Sequence, residues 1–160
     1  MVRKTFSPAR AWRPAVVARL ARTLARMSGI LSIPDLLEAW RLWAVAQRSG
    51  ADIRDLTGWM EFNWAVEVDP EHAWSAILAA LEDPRMQESL GVLAAGPLED
   101  LLSIHGERFI GRVESTARAN PKFAWLLGGV WQHTMPEDVW SRVQAVWNRT
   151  GWDGVPANAG

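Results

Sequence analysis

The sequence contains no cysteine, no tyrosine and only 3 histidines among its 160 residues. A chain without cysteine can form no disulfide, no thiol nucleophile and no cysteine-ligated zinc site, and its composition fits a reducing compartment. No apolar run approaches the roughly 18 residues that a membrane-spanning helix requires. Arg19, Arg22 and Arg26 also interrupt the only N-terminal stretch that resembles a secretory signal. We therefore expect a cytoplasmic protein with no membrane contact.

The rest of the composition is that of one soluble globular domain with an excess of tryptophan. Hydrophobic residues make up 49% of the chain and charged residues 22%, and the length suits a single domain. There are 11 Trp against 4 Phe. The pattern defines the burial of Trp59, Trp131 and Trp152 least well, and exposed tryptophan is enriched at binding hot spots. The tryptophans expected in the core are Trp40, Trp43, Trp64, Trp74, Trp140 and Trp147.

Prolines mark the starts of the predicted helices. Seven of the nine stand at such positions, and the pattern of residues 69–74 recurs 51 positions later at residues 120–125. Asp or Asn is a favoured N-cap, and proline fits the first turn because its missing N–H has no partner there. No stretch shows the alternation of a β-strand. The sequence predicts an all-α fold, either helical hairpins stacked as in HEAT-like α-solenoids or an irregular helical bundle.

Two of these helix predictions concern residues with functional potential. Pro97 is predicted to begin a short helix that ends at His105, with Glu99 and Asp100 in its first turn, where acids complement the helix dipole. Helical spacing also defines a stripe in residues 56–67, and we expect Trp64 on that stripe to face the core. Its members are Leu56, Trp59, Met60, Asn63, Trp64 and Glu67.

Charge is distributed unevenly along the chain. Residues 1–34 hold seven basic residues and no acidic one, whereas residues 52–107 hold twelve acidic and two basic residues, a formal charge of −10. Residues 1–26 are interpreted as a basic N-terminal arm, which is an upstream extension if translation starts at Met27. Residues 27–150 are predicted to form a single all-α domain, and residues 151–160 a disordered tail.

No catalytic constellation is recognisable in the sequence. The three histidines lack the spacing of metal ligands, and we predict neither a metal site nor a cofactor. Two alternatives stay open beside a binding function. One is a small helical enzyme that uses His105, Glu99 and His133, and the other is a nucleic-acid-associated protein that uses the basic arm.

A longer series of residues resembles a known family. The series comprises Leu93–Leu102, His105–Glu107, Phe109-Ile110, Arg112–Glu114, Leu126–Trp131 and Val139–Val143. It resembles the signature of an uncharacterised bacterial family whose domain has no known function. The resemblance implies a bacterial origin and a small helical domain, with no activity to transfer. The chain differs from that pattern at Met135-Pro136, where the family has a Ser or Asp helix cap, and in its basic arm.

The acidic segment favours a protein-binding function. We expect a non-enzymatic interaction module with an acidic helical surface, such as an immunity or antitoxin-like inhibitor of a cationic enzyme. Electrostatic steering would speed the capture of a basic active site. The expected partner is a basic protein rather than a nucleic acid. The predicted contact residues are Trp59 and Trp131 together with the acids Asp52, Asp55, Glu61, Glu67, Glu82, Asp83 and Glu88.

Overall fold

In the computed structural model, residues 29–152 are described, and within this range the chain is helical, with no strand. The predicted all-α class is confirmed, and the arrangement is compatible with both predicted forms. One compact unit begins at Ser32 and contains the helices of residues 29–152. The basic arm, residues 27–28 and the tail from residue 153 lie outside the described residues.

The helices follow one another with short connections. In chain order the elements are α1 Ile33–Ser49, α2 Gly58–Val68, α3 Pro70–Glu82, a 3₁₀ turn Pro84–Ser89, α4 Leu90–Leu93, a π-helical turn Ala94–Leu98, α5 Glu99–Ala119, α6 Pro121–Leu127 and α7 Glu137–Gln144. Helix α2 packs against α1 and α3, and α5 packs against α2, α6 and α7. Among the described helices, none has both the length and the apolarity that a bilayer crossing requires.

The N-caps predicted at Asp69 and Asn120 form, and Ser32 caps α1 in the same way. The Ser32 hydroxyl accepts a hydrogen bond from the Asp35 N–H, and the Asp69 carboxylate accepts one from the His72 N–H at 3.0 Å. The Asn120 side chain likewise accepts from the amide of Lys122 at 3.0 Å. Each cap satisfies a backbone donor that the first helical turn leaves without a partner. These local signals position α1, α3 and α6.

The predicted helix start at Pro97 and the predicted end near His105 are both wrong. Pro97 lies inside the π-helical turn, so the chain is helical without a break from Leu90 into α5. A π turn is wider than an α turn and accommodates a proline ring, which would clash with the carbonyl four residues earlier in a regular helix. At His105 the helix kinks (φ −122°, ψ 17°) and then continues to Ala119. Glu99 therefore does not lie at a free helix N-terminus.

The first aromatic cluster forms where α1 crosses α2. The Trp40 ring is fully buried, and its centroid lies 5.0 Å from that of Trp43 and 5.4 Å from that of Phe62. Gly58 allows the close crossing, because a Cβ atom there would lie 2.8 Å from the Trp40 Cα. The core prediction is confirmed for Trp40 and Trp43.

The second aromatic cluster joins α3, α5 and α6. The Trp74 ring is buried, with its centroid 5.7 Å from that of Phe109 and 5.3 Å from that of Phe123. The two repeated segments thus contact each other directly. Trp125, which corresponds to Trp74 in the repeat, is only half-buried. Because α6 ends at Leu127, the second copy is much shorter than the first.

The C-terminal part of the described chain packs on a pair of glycines. The Trp152 ring lies against Gly129, where a Cβ atom would approach its Cη2 to 2.6 Å. The same ring lies 4.7 Å from that of Trp125, and its Nε1–H donates to the Trp125 carbonyl at 2.9 Å. Gly128 is also close to the Trp152 ring, because a Cβ atom there would lie 2.8 Å from its Cδ1. The packed part of the chain therefore includes Trp152, within the segment predicted to be a disordered tail.

The orientation of α2 differs from the prediction. Its buried side consists of Gly58, Glu61, Phe62, Ala65 and Val66, whereas four of the six residues of the predicted stripe are exposed. Trp64, which we expected in the core, is more than half exposed. Trp140 and Trp147 are half-buried and pack edge to face, with centroids 5.1 Å apart. Both sides of α2 are apolar, so the period of its pattern does not identify the core side.

Candidate functional site

Four of the predicted contact acids bind basic residues of the same chain. Each pair lies on the surface, where an ion pair contributes little stability but satisfies the charge of the acid. These acids are therefore less available to a basic partner than their sequence positions indicate. The pairs are Asp52–Arg54 at 2.5 Å, Glu82–Lys122 at 3.2 Å, Asp83–Arg85 at 2.7 Å and Glu88–Arg48 at 2.5 Å.

Two further predicted acids differ in their exposure. Glu61 is only 7% exposed because it lies on the buried side of α2, so its carboxylate does not form part of an open surface. Asp55 is exposed in the connection between α1 and α2, where its charge acts on the nearby Arg54 guanidinium. The continuous acidic face predicted from the sequence is therefore divided by ion pairs and by the burial of Glu61.

Glu67 belongs to a different group of carboxylates. This group consists of Glu67 and of Glu99 and Asp100 in α5. None of the three carboxylates forms an ion pair with a lysine or arginine of the described residues. The negative charge of Glu67 acts on the Asp100 carboxylate, which also senses the His133 imidazole. Glu99 accepts a hydrogen bond from the Trp131 N–H at 3.1 Å. These interactions bring the end of α2, the first turn of α5 and residues 131–133 together.

Four large apolar side chains border these carboxylates, and each is between 51% and 57% exposed. Trp64 and Val68 share one side of α2 with Glu67, because residues three and four apart lie on the same helix side. Ile104 lies one turn after Asp100 on α5. We call this region the α2–α5 surface and define it by Trp64, Glu67, Val68, Glu99, Asp100, Ile104 and Trp131.

The α2–α5 surface is held in place by a hydrogen bond between its two helices. The Nε2 atom of His105 lies 2.9 Å from the carbonyl oxygen of Val66, in the last turn of α2. The same histidine has the non-helical backbone of the α5 kink. His105 therefore joins α5 to α2 at the edge of the exposed surface. Its ring nitrogen is engaged with the backbone rather than with another ionisable side chain.

The enzyme alternative requires Glu99, His105 and His133 to form one catalytic group, and their hydrogen bonds do not connect all three. Glu99 bonds to the Trp131 amide and senses the charge of His133, whereas His105 bonds to Val66. His133 has a left-handed backbone conformation (φ 40°) and an exposed ring. Within residues 29–152, no group of three or more His, Asp or Glu side chains is arranged to hold a metal ion.

Burial raises the pKa of both carboxyls in the first turn of α5. For Glu99, the hydrogen bond from Trp131 opposes this effect. For Asp100, the positive charge of His133 opposes it, and the negative charge of Glu67 adds to it. Partly dehydrated carboxylates gain more from a new cationic neighbour than fully hydrated ones do. A cation close to these carboxylates would lower both pKa values.

Asp100→Asn is expected to stabilise the fold at neutral pH. The raised pKa of Asp100 means that the folded chain binds its proton before the unfolded chain does. Stability from this group therefore increases as the pH falls through the folded-state pKa, and the charged form costs stability above it. The gain in the variant should be present at about pH 7 and absent at about pH 4 in urea unfolding monitored by circular dichroism.

Asp83→Asn provides a control of opposite sign for that measurement. The Arg85 guanidinium holds the pKa of Asp83 below its usual range, so the charged form stabilises the fold above the unfolded-state pKa. Removing this charge should lower stability at neutral pH. If both variants shift stability in the same direction at neutral pH, the burial of Asp100 does not govern its titration.

Trp59 lies in a separate groove at the start of α2. The groove is an open depression of about 430 Å³, and the Trp59 ring is 36% exposed there. The ring rests on Gly96, where a Cβ atom would lie 2.9 Å from its Cζ3. The groove is lined by Trp43, Gln47, Ile53, Arg54, Leu56, Trp59 and Met60. We call it the Trp59 groove.

Of the predicted contact residues, the α2–α5 surface contains Glu67 and Trp131. Trp64, Val68, Asp100 and Ile104 of the same surface were not among them. The sequence does contain a signal for this surface, because α2 is apolar all round, and a helix of that kind is usually covered on every side. The pattern alone does not reveal which side the chain itself covers.

Comparison with known proteins gives a family but no activity. A protein-family model described as a family of unknown function (DUF6869) matches residues 47–151. This region runs from the end of α1 to the residue before Trp152 and includes all of the α2–α5 surface. No curated protein and no solved structure matches the chain. The resemblance to an uncharacterised domain is confirmed by this match.

Proposed function

The chain belongs to this family of unknown function, and we propose that it is a protein-binding module whose α2–α5 surface contacts a basic partner protein. One observation carries the proposal. Four of the five most exposed large apolar side chains of the described residues adjoin carboxylates that have no lysine or arginine partner among those residues. A surface of this kind gains from burial against apolar groups and from contact with a cation.

A protein fits this surface better than a nucleic acid does. Trp64 and Trp131 offer large apolar areas of the kind that dominate the energy of protein interfaces. The carboxylates of Glu67 and Asp100 would repel phosphates, but they would steer a basic protein and fix its orientation. The apolar side chains therefore supply affinity, and the carboxylates supply specificity and association rate.

In its specific form, the proposal is an immunity or antitoxin-like inhibitor of a cationic enzyme. Such an enzyme presents basic residues around its active site, and a surface that combines tryptophan with carboxylates can cover them. We place the protein in the bacterial cytoplasm, which agrees with the absence of cysteine and with the resemblance of residues 93–143 to a bacterial family. This inhibitor proposal is supported by the carboxylates and the exposed tryptophans of the α2–α5 surface.

The test is capture of the partner by tagged full-length protein from native host cells, followed by binding measurements with purified components. Trp64→Ala and Glu67→Lys are each expected to weaken binding by about 2 kcal/mol, as hot-spot substitutions do. Association should also slow as salt rises, because the Debye length falls from about 10 Å at 0.1 M to about 3 Å at 1 M. Surface plasmon resonance measures both effects.

Glu88→Lys is the matched control for Glu67→Lys. Both residues are exposed glutamates, but Glu88 pairs with Arg48 and lies outside the α2–α5 surface. The control reversal should change the affinity less than twofold after correction for net charge. Equal losses from the two reversals would indicate only a long-range effect of charge. The proposal would be contradicted by a partner whose affinity is unchanged by Trp64→Ala and Glu67→Lys and whose association rate does not depend on salt.

A further inference from the structure

The exposed side of α2 carries a regular row of apolar side chains. Met60, Trp64 and Val68 are spaced four residues apart and are each more than half exposed. At a rise of 1.5 Å per residue, this row is about 12 Å long. Side chains at this spacing form a ridge of the kind that packs into the groove of another helix. The opposite side of α2 packs against α1 and α3.

The two ends of this row differ in chemistry. At the N-terminal end, Met60 is also part of the Trp59 groove, so the row leads directly into an apolar depression large enough for one bulky side chain. At the C-terminal end, Val68 lies beside Glu67, and Asp100 is close enough for its carboxylate to sense that charge. The last carbonyls of α2 add partial negative charge there. The row therefore runs from an apolar end to an acidic end.

We infer that the contacting element of the partner is an amphipathic α-helix that lies along this row, with a bulky apolar side chain in the Trp59 groove and a lysine or arginine at Glu67 and Asp100. This inference rests on the proposed function. Charge complementarity sets the direction of the helix, because only its basic end fits the acidic end of the row. Its apolar residues recur at helical spacing, as in other helix-in-groove complexes.

An extended partner segment fits the same surface less well. Strand addition requires a free strand edge, and residues 29–152 contain no strand. Side chains on one side of a strand also recur about every 7 Å, whereas the row on α2 repeats about every 6 Å, the rise of four helical residues. The helix matches both the spacing of the row and its length.

Photo-crosslinking from defined positions of the full-length protein tests this inference. p-Benzoylphenylalanine is placed at position 60, 68 or 104 in separate proteins, and irradiation in native host cells is followed by mass spectrometry of the crosslinked partner. Positions 60 and 68 are expected to label one segment at sites seven or eight residues apart, because both helices rise about 1.5 Å per residue. Position 104 should label the same segment near a lysine or arginine. Position 75 on α3, an exposed serine, is the control and should not label it.

The possible outcomes separate this inference from the proposed function. Labelled sites three or four residues apart would indicate an extended segment and overturn the helix, while the binding function stands. Labels on unrelated segments, or a basic residue at the position 60 end, would overturn the inference in the same way. A protein that yields no partner crosslink at any of the three positions would overturn the proposed function and the inference together. A single proline in the centre of the labelled segment should weaken binding more than tenfold, and an unchanged affinity would again exclude the helix.

Discussion

Trp74→Ala is expected to lower the free energy of unfolding by about 3–5 kcal/mol, the range for truncation of a large buried aromatic. The Trp74 side chain is 3% exposed and packs between Phe109 and Phe123. The guanidinium of Arg112 lies over the Trp74 ring at 5.3 Å and would lose that contact. Chemical denaturation monitored by circular dichroism at 222 nm, the usual wavelength for helix content, measures the loss.

Trp125→Ala is the matched comparison, since Trp125 occupies the corresponding position of the sequence repeat. Its ring is half-buried and stacks on Trp152, so its removal should cost clearly less than the removal of Trp74. The indole N–H of Trp125 also donates to the Thr150 carbonyl at 3.2 Å, which keeps the cost above zero. A loss below about 1 kcal/mol for Trp74→Ala would place its ring outside the core.

Gly58→Ala is expected to destabilise the fold by about 3 kcal/mol, at the upper end of the range for overpacking. The added Cβ would lie 2.6 Å from the carbonyl carbon of Ala39 and 2.8 Å from the Cα of Trp40. These are backbone atoms, so no rotamer change can relieve the contact, and α1 and α2 must move apart. Thermal and urea unfolding of the variant measure the effect.

Gly111→Ala is the control for that experiment. Gly111 lies on the exposed side of α5, and a Cβ there would meet nothing within 4 Å. Alanine at an unobstructed helical position should stabilise the fold by about 0.5–1 kcal/mol, because glycine loses more backbone freedom on folding. A loss of stability from Gly58→Ala together with a gain from Gly111→Ala would support the close crossing of α1 and α2. A neutral result at Gly58 would mean that α1 and α2 are farther apart.

Local chemistry accounts for the parts of the fold that the sequence predicts well. The Asp69-Pro70 and Asn120-Pro121 starts depend only on a capping side chain and on a proline that needs no partner for its nitrogen. Those interactions form within a single turn. Pro97 shows the limit of this reasoning, because packing around Gly96 and Trp59 keeps the chain helical through a residue that usually begins or breaks a helix.

The candidate site could be predicted only in part. Glu67 and Trp131 were identified from charge and from the character of tryptophan. The helical stripe of residues 56–67 predicts Trp64 in the core. Because α2 has apolar residues on both sides, only its packing against α1 and α3 decides which side stays open. The sequence places Asp100 in the first turn of a separate helix, but the π-helical turn joins that helix to the preceding one.

The sequence predicts the all-α class, the capped helix starts at Asp69-Pro70 and Asn120-Pro121, and an acidic middle segment. These properties follow from neighbouring residues and from composition. Tertiary structure alone decided which carboxylates stay without basic partners, because ion pairs such as Glu82–Lys122 join residues 40 positions apart. It also decided that the open side of α2 lies beside Asp100, since that proximity depends on how two distant helices pack.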